Sequence, residues 1–351
     1  MLKRWGKSVF DWLRPWQRGG KPALARGRGP IIHVIILDGT MSSLLPGNES
    51  NAGLVYRLLS QVGAPVSVFY EAGVQWQDWR SARDVMLGRG INAQIRRAYS
   101  YLASRYRTGD KIFLMGYSRG AFAVRSLAGA IDQIGLLHHA SATERNVQIA
   151  YRHYQVTPGS AAAEAFRAAH CHEAVAIDMV GVWDTVKALG LRWPVVWRWS
   201  QPAHQFHDHS LGPSVRHGYH ALALHETREA FAPEMWTTPE GGEARVEQVW
   251  FPGAHGDVGG QLGGFDAARP LSNIPLVWML EKAEGCGLPL PEGWRARFPT
   301  DPGAPSVGTW MSWGKLFWVR RRRVVGADRS ERLHESVEQR EMALNGVHEP
   351  V

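Results

Sequence analysis

From residue 31 onward the chain alternates short, continuous apolar runs with stretches whose apolar positions recur at helical spacing. The runs Ile31–Leu37, Pro65–Tyr70, Lys111–Met115, Ala174–Trp183 and Val246–Pro252 read as strands, being short and mostly apolar on both faces. The segments Ala52–Gln61, Asn92–Tyr106, Ala121–Ile131, His217–Glu229 and Ile274–Gly285 read as helices. Strands apolar on both faces, separated by helices, predict an α/β fold built on a mostly parallel sheet with helices on both faces. In such sheets functional groups gather beyond the carboxyl ends of the strands. No internal repeat is visible.

The first 30 residues follow a different pattern. At helical spacing Leu2, Trp5, Val9, Trp12, Leu13 and Trp16 share one side, and Lys3, Arg4, Lys7, Arg14 and Arg18 the other. Residues 1–29 carry eight Lys or Arg against the single acid Asp11, so nearly all of the net charge of +8 lies in this tail. A basic amphipathic helix with tryptophans suits peripheral contact with an anionic membrane. Docking on the body of the protein, or an unstructured leader, is the alternative. Gly19–Pro30 reads as a linker. The organisation expected is therefore a basic segment with linker over residues 1–30 and one α/β domain over 31–345. With the body close to neutral, nucleic acid is not an expected partner.

Two cysteines cannot form a disulfide framework. The apolar runs are too short to span a bilayer, and Asp11 and Arg14 interrupt any signal-peptide core. The chain is thus expected to be cytoplasmic as synthesised.

The candidate chemistry starts where Ile112-Phe113-Leu114-Met115 runs into Gly116-Tyr117-Ser118-Arg119-Gly120. This is the sequence form of a nucleophile elbow, a sharp strand-to-helix turn that presents one serine hydroxyl above an α/β-hydrolase-like sheet. Later strand ends supply Asp184 and His255, giving the chain order serine, acid, histidine. A serine hydroxyl needs a base, and an imidazole that titrates near neutrality suits the task. A carboxylate would hold the imidazole tautomer; Asp184 is the first choice and Asp257 the alternative. The Arg119 amide, with the Gly39 or Thr40 amide after the first strand, would form the oxyanion hole. Asp38 suits organising that loop or capping a turn. No cofactor is required.

Six histidines lie between His204 and His225, with Asp208 among them, but no metal-binding motif accompanies them, so no metal is expected. Tryptophan-rich patches at Trp193–Trp199 and Trp310–Trp318 suit a lipid interface, a lid over an apolar substrate, or packed edges. The first marks a cap element around residues 190–215. The second runs into Arg320–Arg323.

The blocks LDGTMSS, GDKIFLMGYSRGAFAVRSLAG, MVGVWDTVKALG and VEQVWFPGAHGDVGG, followed by LSNIPLVWMLEKA and LHESVEQR, together resemble the type VI secretion lipase-effector α/β hydrolases. The resemblance runs from about residue 31 to about residue 340. It implies a Ser-His-Asp esterase with phospholipase character, with Ser118, His255 and Asp184 in the matching motifs, and export by a signal-peptide-independent secretion system. The expectation is a serine hydrolase of carboxylic esters acting on a lipid or other ester. The rival is a non-catalytic membrane-surface or protein-binding module on a hydrolase shell.

Overall fold

The computed structural model describes residues 28–73, 89–186, 210–240, 244–310 and 319–345. Its centre is a seven-stranded sheet: β1 (Ile32–Leu37), β2 (Val66–Glu71), β3 (Lys111–Tyr117), β4 (Ile177–Trp183), β5 (Val215–Ala223), β6 (Val246–Phe251) and β7 (Glu331–Leu333). The spatial order is β2-β1-β3-β4-β5-β6-β7, and every adjacent pair is parallel. Parallel neighbours need crossover connections, and these carry the helices.

Alternation along β1 sorts the core into two layers. Ile35 and Leu37 pack with α2 (Arg89–Ala103), α3 (Arg119–Ile134) and α4 (Glu144–Val156). Val34 and Ile36 face the opposite layer with α1 (Asn51–Leu59) and α7 (Arg269–Gly285). Both faces are therefore covered, and β4 is buried at all seven positions. Each large apolar side chain removed from water here contributes roughly 1.5–3 kcal/mol before chain entropy is counted. The helices α5 (Ala161–His170) and α8 (Ser336–Asn345), with the short α6 (His255–Gly259), complete the described elements.

Helix starts follow local chemistry. Ser50, Thr143 and Ser160 each accept a hydrogen bond from an amide in the first turn, of α1, α4 and α5 respectively. Such caps satisfy amides that have no partner inside the helix.

One expected element is overturned. The segment His217–Glu229 was expected to be helical, but Val215–Ala223 is strand β5, paired on one side with β4 and on the other with β6. The apolar run Ala221-Leu222-Ala223 has good helix formers, but a helix would leave β4 and β6 without their shared neighbour. Tertiary pairing overrides propensity here. The amphipathic segments α4 and α5 were not anticipated at all. Residues 1–27 and most of the tryptophan-rich stretch around 190–215 lie outside the described residues, as do Met311–Trp318.

Candidate active site

The hydroxyl-bearing turn is a direct consequence of where β3 and α3 meet. Ser118 joins them at φ 57°, ψ −119°, a conformation sparsely used by residues with a Cβ. The turn closes only because its flanks are glycines. A Cβ on Gly120 would stand 2.0 Å from the Leu37 carbonyl oxygen, and one on Gly116 would stand 2.6 Å from the Gly120 carbonyl oxygen. The strand end, the helix start and β1 are thus packed backbone to backbone beneath the serine.

Three side chains from separate strand ends converge there. Ser118 Oγ lies 2.9 Å from His255 Nε2, and His255 Nδ1 lies 2.6 Å from Asp184 Oδ2. Ser118 follows β3, Asp184 follows β4, and His255 opens α6 just after β6. All three are buried, at 7%, 0% and 4% exposure respectively. Asp184 also takes a positive φ of 41°. The imidazole packs against two aromatic rings, with Tyr117 centred 4.9 Å away and Phe231 4.7 Å away. Its backbone is anchored too: the His255 amide donates to Glu226 Oε2 at 3.1 Å, and Tyr117 Oη donates to the His255 carbonyl at 3.3 Å.

The other anticipated acids lie elsewhere. Asp257 accepts from the Ala254 amide at 2.7 Å, from Ser306 Oγ at 2.6 Å and from the Val307 amide at 2.8 Å. It therefore fixes the turn that carries His255, while Asp184 is the carboxylate on the ring. Asp38 accepts from the Gly39 amide at 2.7 Å, from Ser50 Oγ at 2.6 Å and from Tyr70 Oη at 2.8 Å. Burial raises Asp38 above the ordinary carboxylate value, against donated hydrogen bonds that favour the anion. These contacts tie the loop after β1 to the start of α1 and to β2. They also engage the Gly39 amide. Of the two amides anticipated in this loop, only that of Thr40 lacks a hydrogen bond among the described residues.

Three contributors were not anticipated. Arg323 straddles Asp184, with one terminal nitrogen 2.5 Å from Oδ1 and the other 2.9 Å from Oδ2. Burial alone would raise Asp184, but the Arg323 charge and the hydrogen bonds from His255 and Arg323 hold it well below the usual carboxylate range. Glu226, buried and paired to Arg228, supports the His255 backbone; burial would raise it, and Arg228 holds it below its ordinary value. His220 on β5 accepts from the Thr185 amide at 3.1 Å, and burial pulls it down to about 3, so it is neutral at physiological pH. Glu226 lies three residues beyond β5 in GYHALALHETREAF, where a strand-end acid could have been noticed. Arg323 carried no usable signal, because it sits in a run of four arginines that reads as a solvated charge cluster.

The histidine-rich stretch divides among different duties. His220 is in the core, His225 accepts from the Gly253 amide at 2.9 Å, and His204, His207 and His209 lie outside the described residues. Among the described residues, no group of three or more His, Cys, Asp or Glu side chains could hold a metal ion. No helix among them is long and apolar enough to cross a membrane.

A parallel sheet covered on both faces, with a serine on a strained turn between its third strand and the following helix, defines an α/β-hydrolase-like protein. Residues 32–282 match the family described as "T6SS, Phospholipase effector Tle1-like, catalytic domain", and the chain belongs to that family. An uncharacterized protein of Saccharomyces cerevisiae, YEL023C, is 25% identical over 231 residues, covering 58% of this chain and 32% of its own length. Two solved structures are similar at lower identity. An uncharacterized protein from Pseudomonas aeruginosa is 16% identical with a TM-score of 0.45, over 78% of this chain and 49% of that one. A Tle1 effector bound to the VgrG spike of the type 6 secretion system is 18% identical with a TM-score of 0.38, over 66% of this chain and 51% of that one. The chain thus spans about a third of the yeast relative and about half of each structure.

Proposed function

We propose that this chain is a serine hydrolase that cleaves carboxylic esters of lipids, as a lipase or phospholipase, through Ser118, His255 and Asp184. The observation that carries the reading is the continuous hydrogen-bonded line from Ser118 Oγ to His255 Nε2 and from His255 Nδ1 to Asp184. Asp184 accepts a hydrogen bond from Nδ1–H, so Nε2 is left as the acceptor that faces the hydroxyl. As Ser118 Oγ attacks the ester carbonyl carbon, its proton passes to Nε2. The imidazolium then returns that proton to the departing alcohol oxygen. Water repeats the cycle on the acyl-serine, releasing the fatty acid. Negative charge on the tetrahedral oxygen would fall to the amides of Arg119 and Thr40, since the Gly39 amide already serves Asp38.

Lipid as the substrate class is favoured by the family and by exposed apolar and basic side chains at Trp310 and along residues 319–324. Trp310, Val319 and Val324 are 63%, 63% and 71% exposed, and the exposed Arg321 and Arg322 lie beside the valines. Exposed apolar and cationic side chains close in sequence suit the surface of an anionic membrane. Membership of an effector family likewise favours export by a signal-peptide-independent secretion route. A second membrane contact through residues 1–29 remains a proposal from the sequence pattern alone.

The test is labelling by a fluorophosphonate, together with hydrolysis of a soluble p-nitrophenyl ester. Wild type should label and turn over, and Ser118→Ala should do neither. A wild-type chain that binds lipid vesicles but never labels would establish the binding-module reading instead.

A further inference from the structure

We propose that Arg323 is a positioning residue of this active site, acting through Asp184; the inference rests on the esterase reading above. The side chain is only 5% exposed although it belongs to a run of arginines. Its two terminal nitrogens make four hydrogen bonds. One reaches Asp184 Oδ1 at 2.5 Å and the Ala223 carbonyl at 2.8 Å. The other reaches Asp184 Oδ2 at 2.9 Å and the Phe231 carbonyl at 2.6 Å. The guanidinium therefore links the triad carboxylate to the end of β5 and to the loop that places Phe231 against the His255 ring.

The carboxylate has few other means of holding its orientation. Its remaining contacts are the Ala223 amide at 3.0 Å on Oδ1 and the imidazole on Oδ2. One amide is a hinge about which the carboxylate plane could turn. Two parallel N–H···O bonds from a planar fork fix that plane. The plane in turn sets the direction of the Nδ1 bond and so the aim of Nε2 at Ser118. Asp184 is also fully buried, and without a counter-charge it would become protonated or would destabilise the fold. Arg323 thus keeps the acid both ionised and aimed.

The segment that delivers this side chain is bound independently of it. The Arg321 amide donates to the Thr227 carbonyl at 2.7 Å, and the Glu229 amide donates to the Val319 carbonyl at 3.0 Å. The backbone beside Arg323 is therefore held whether or not the fork forms, so a side-chain change tests the fork itself.

The informative variant is Arg323→Lys, which keeps the positive charge but replaces the fork with a single ammonium group. Its kcat on a soluble p-nitrophenyl ester should fall by about 10–100-fold, as for a misaligned catalytic group, with KM changed less than about threefold. The rate of fluorophosphonate labelling at Ser118 should fall in parallel. In an Asp184→Asn background, Arg323→Gln should cause a much smaller loss of labelling than in the wild-type background, because its main effect passes through the carboxylate. That charge-neutral pair also tests the proposal if Arg323→Lys does not fold. Wild-type kcat in Arg323→Lys, or an equal loss from the arginine change with and without Asp184, would overturn the assignment. Wild-type protein that fails to label would instead sink the esterase reading on which it rests.

Discussion

Replacing Ser118 with glycine should abolish turnover and yet yield a more stable fold than the alanine variant. Ser118 holds φ 57° and ψ −119°, a region that penalises any residue with a Cβ by about 1–3 kcal/mol. Alanine at 118 keeps that penalty and loses the 2.9 Å contact to His255 Nε2. Glycine loses the same contact but relieves the penalty. Against this, glycine gives the unfolded chain more freedom, which costs about 0.4–1 kcal/mol. Ser118→Gly should therefore exceed Ser118→Ala in stability by about 0.5–2 kcal/mol. For a chain of this size each kcal/mol moves Tm by about 1–2 °C, which differential scanning calorimetry resolves. The comparison with alanine isolates the backbone, since both variants lack the hydroxyl. A glycine variant that melts with or below the alanine variant would refute the reasoning: the turn would then store no strain.

Two further outcomes follow from the same structure. Replacing Trp310 with Ala and reversing the charge of Arg321 and Arg322 with Glu should lower activity on phosphatidylglycerol vesicles by about tenfold or more, since each basic residue near an anionic surface contributes about 1 kcal/mol. Hydrolysis of a soluble ester should be unchanged; an equal loss on both substrates would remove these residues from the membrane reading. Asp110 provides the acid-stability test. Burial would raise it, but hydrogen bonds from Arg28, the Ile31 and Arg107 amides and His33 hold it down at about 2. Its folded value lies below its unfolded one, so its contribution is complete above about pH 4 and disappears as pH falls through about 2. Asp110→Asn should flatten the decline of Tm across that window and lower Tm at neutral pH. An unchanged slope between pH 4 and 2 would show that the contacts carry no linkage.

The sequence by itself determined the layered α/β architecture and named candidate residues for the proposed chemistry. Continuous apolar strands leave no choice but burial on both faces, and G-Y-S-R-G after a strand restricts the backbone to a sharp turn. These are local properties, set by steric limits within a few residues. Family resemblance added the order of the motifs. The tertiary structure decided what local patterns could not carry. Whether Val215–Ala223 became strand or helix depended on two neighbours with unpaired edges, not on its own propensity. Which carboxylate meets the imidazole depended on three strand ends converging: Asp257 is two positions from His255 in sequence yet turned into its own helix cap, while Asp184, 71 residues away, reaches the ring. Arg323 is the extreme case. Its role requires a residue 139 positions from Asp184 to enter the core from a charged run, and charge periodicity has no means of encoding that. Short-range sterics are written in consecutive residues, whereas the pairing of buried charges exists only once the chain has closed on itself.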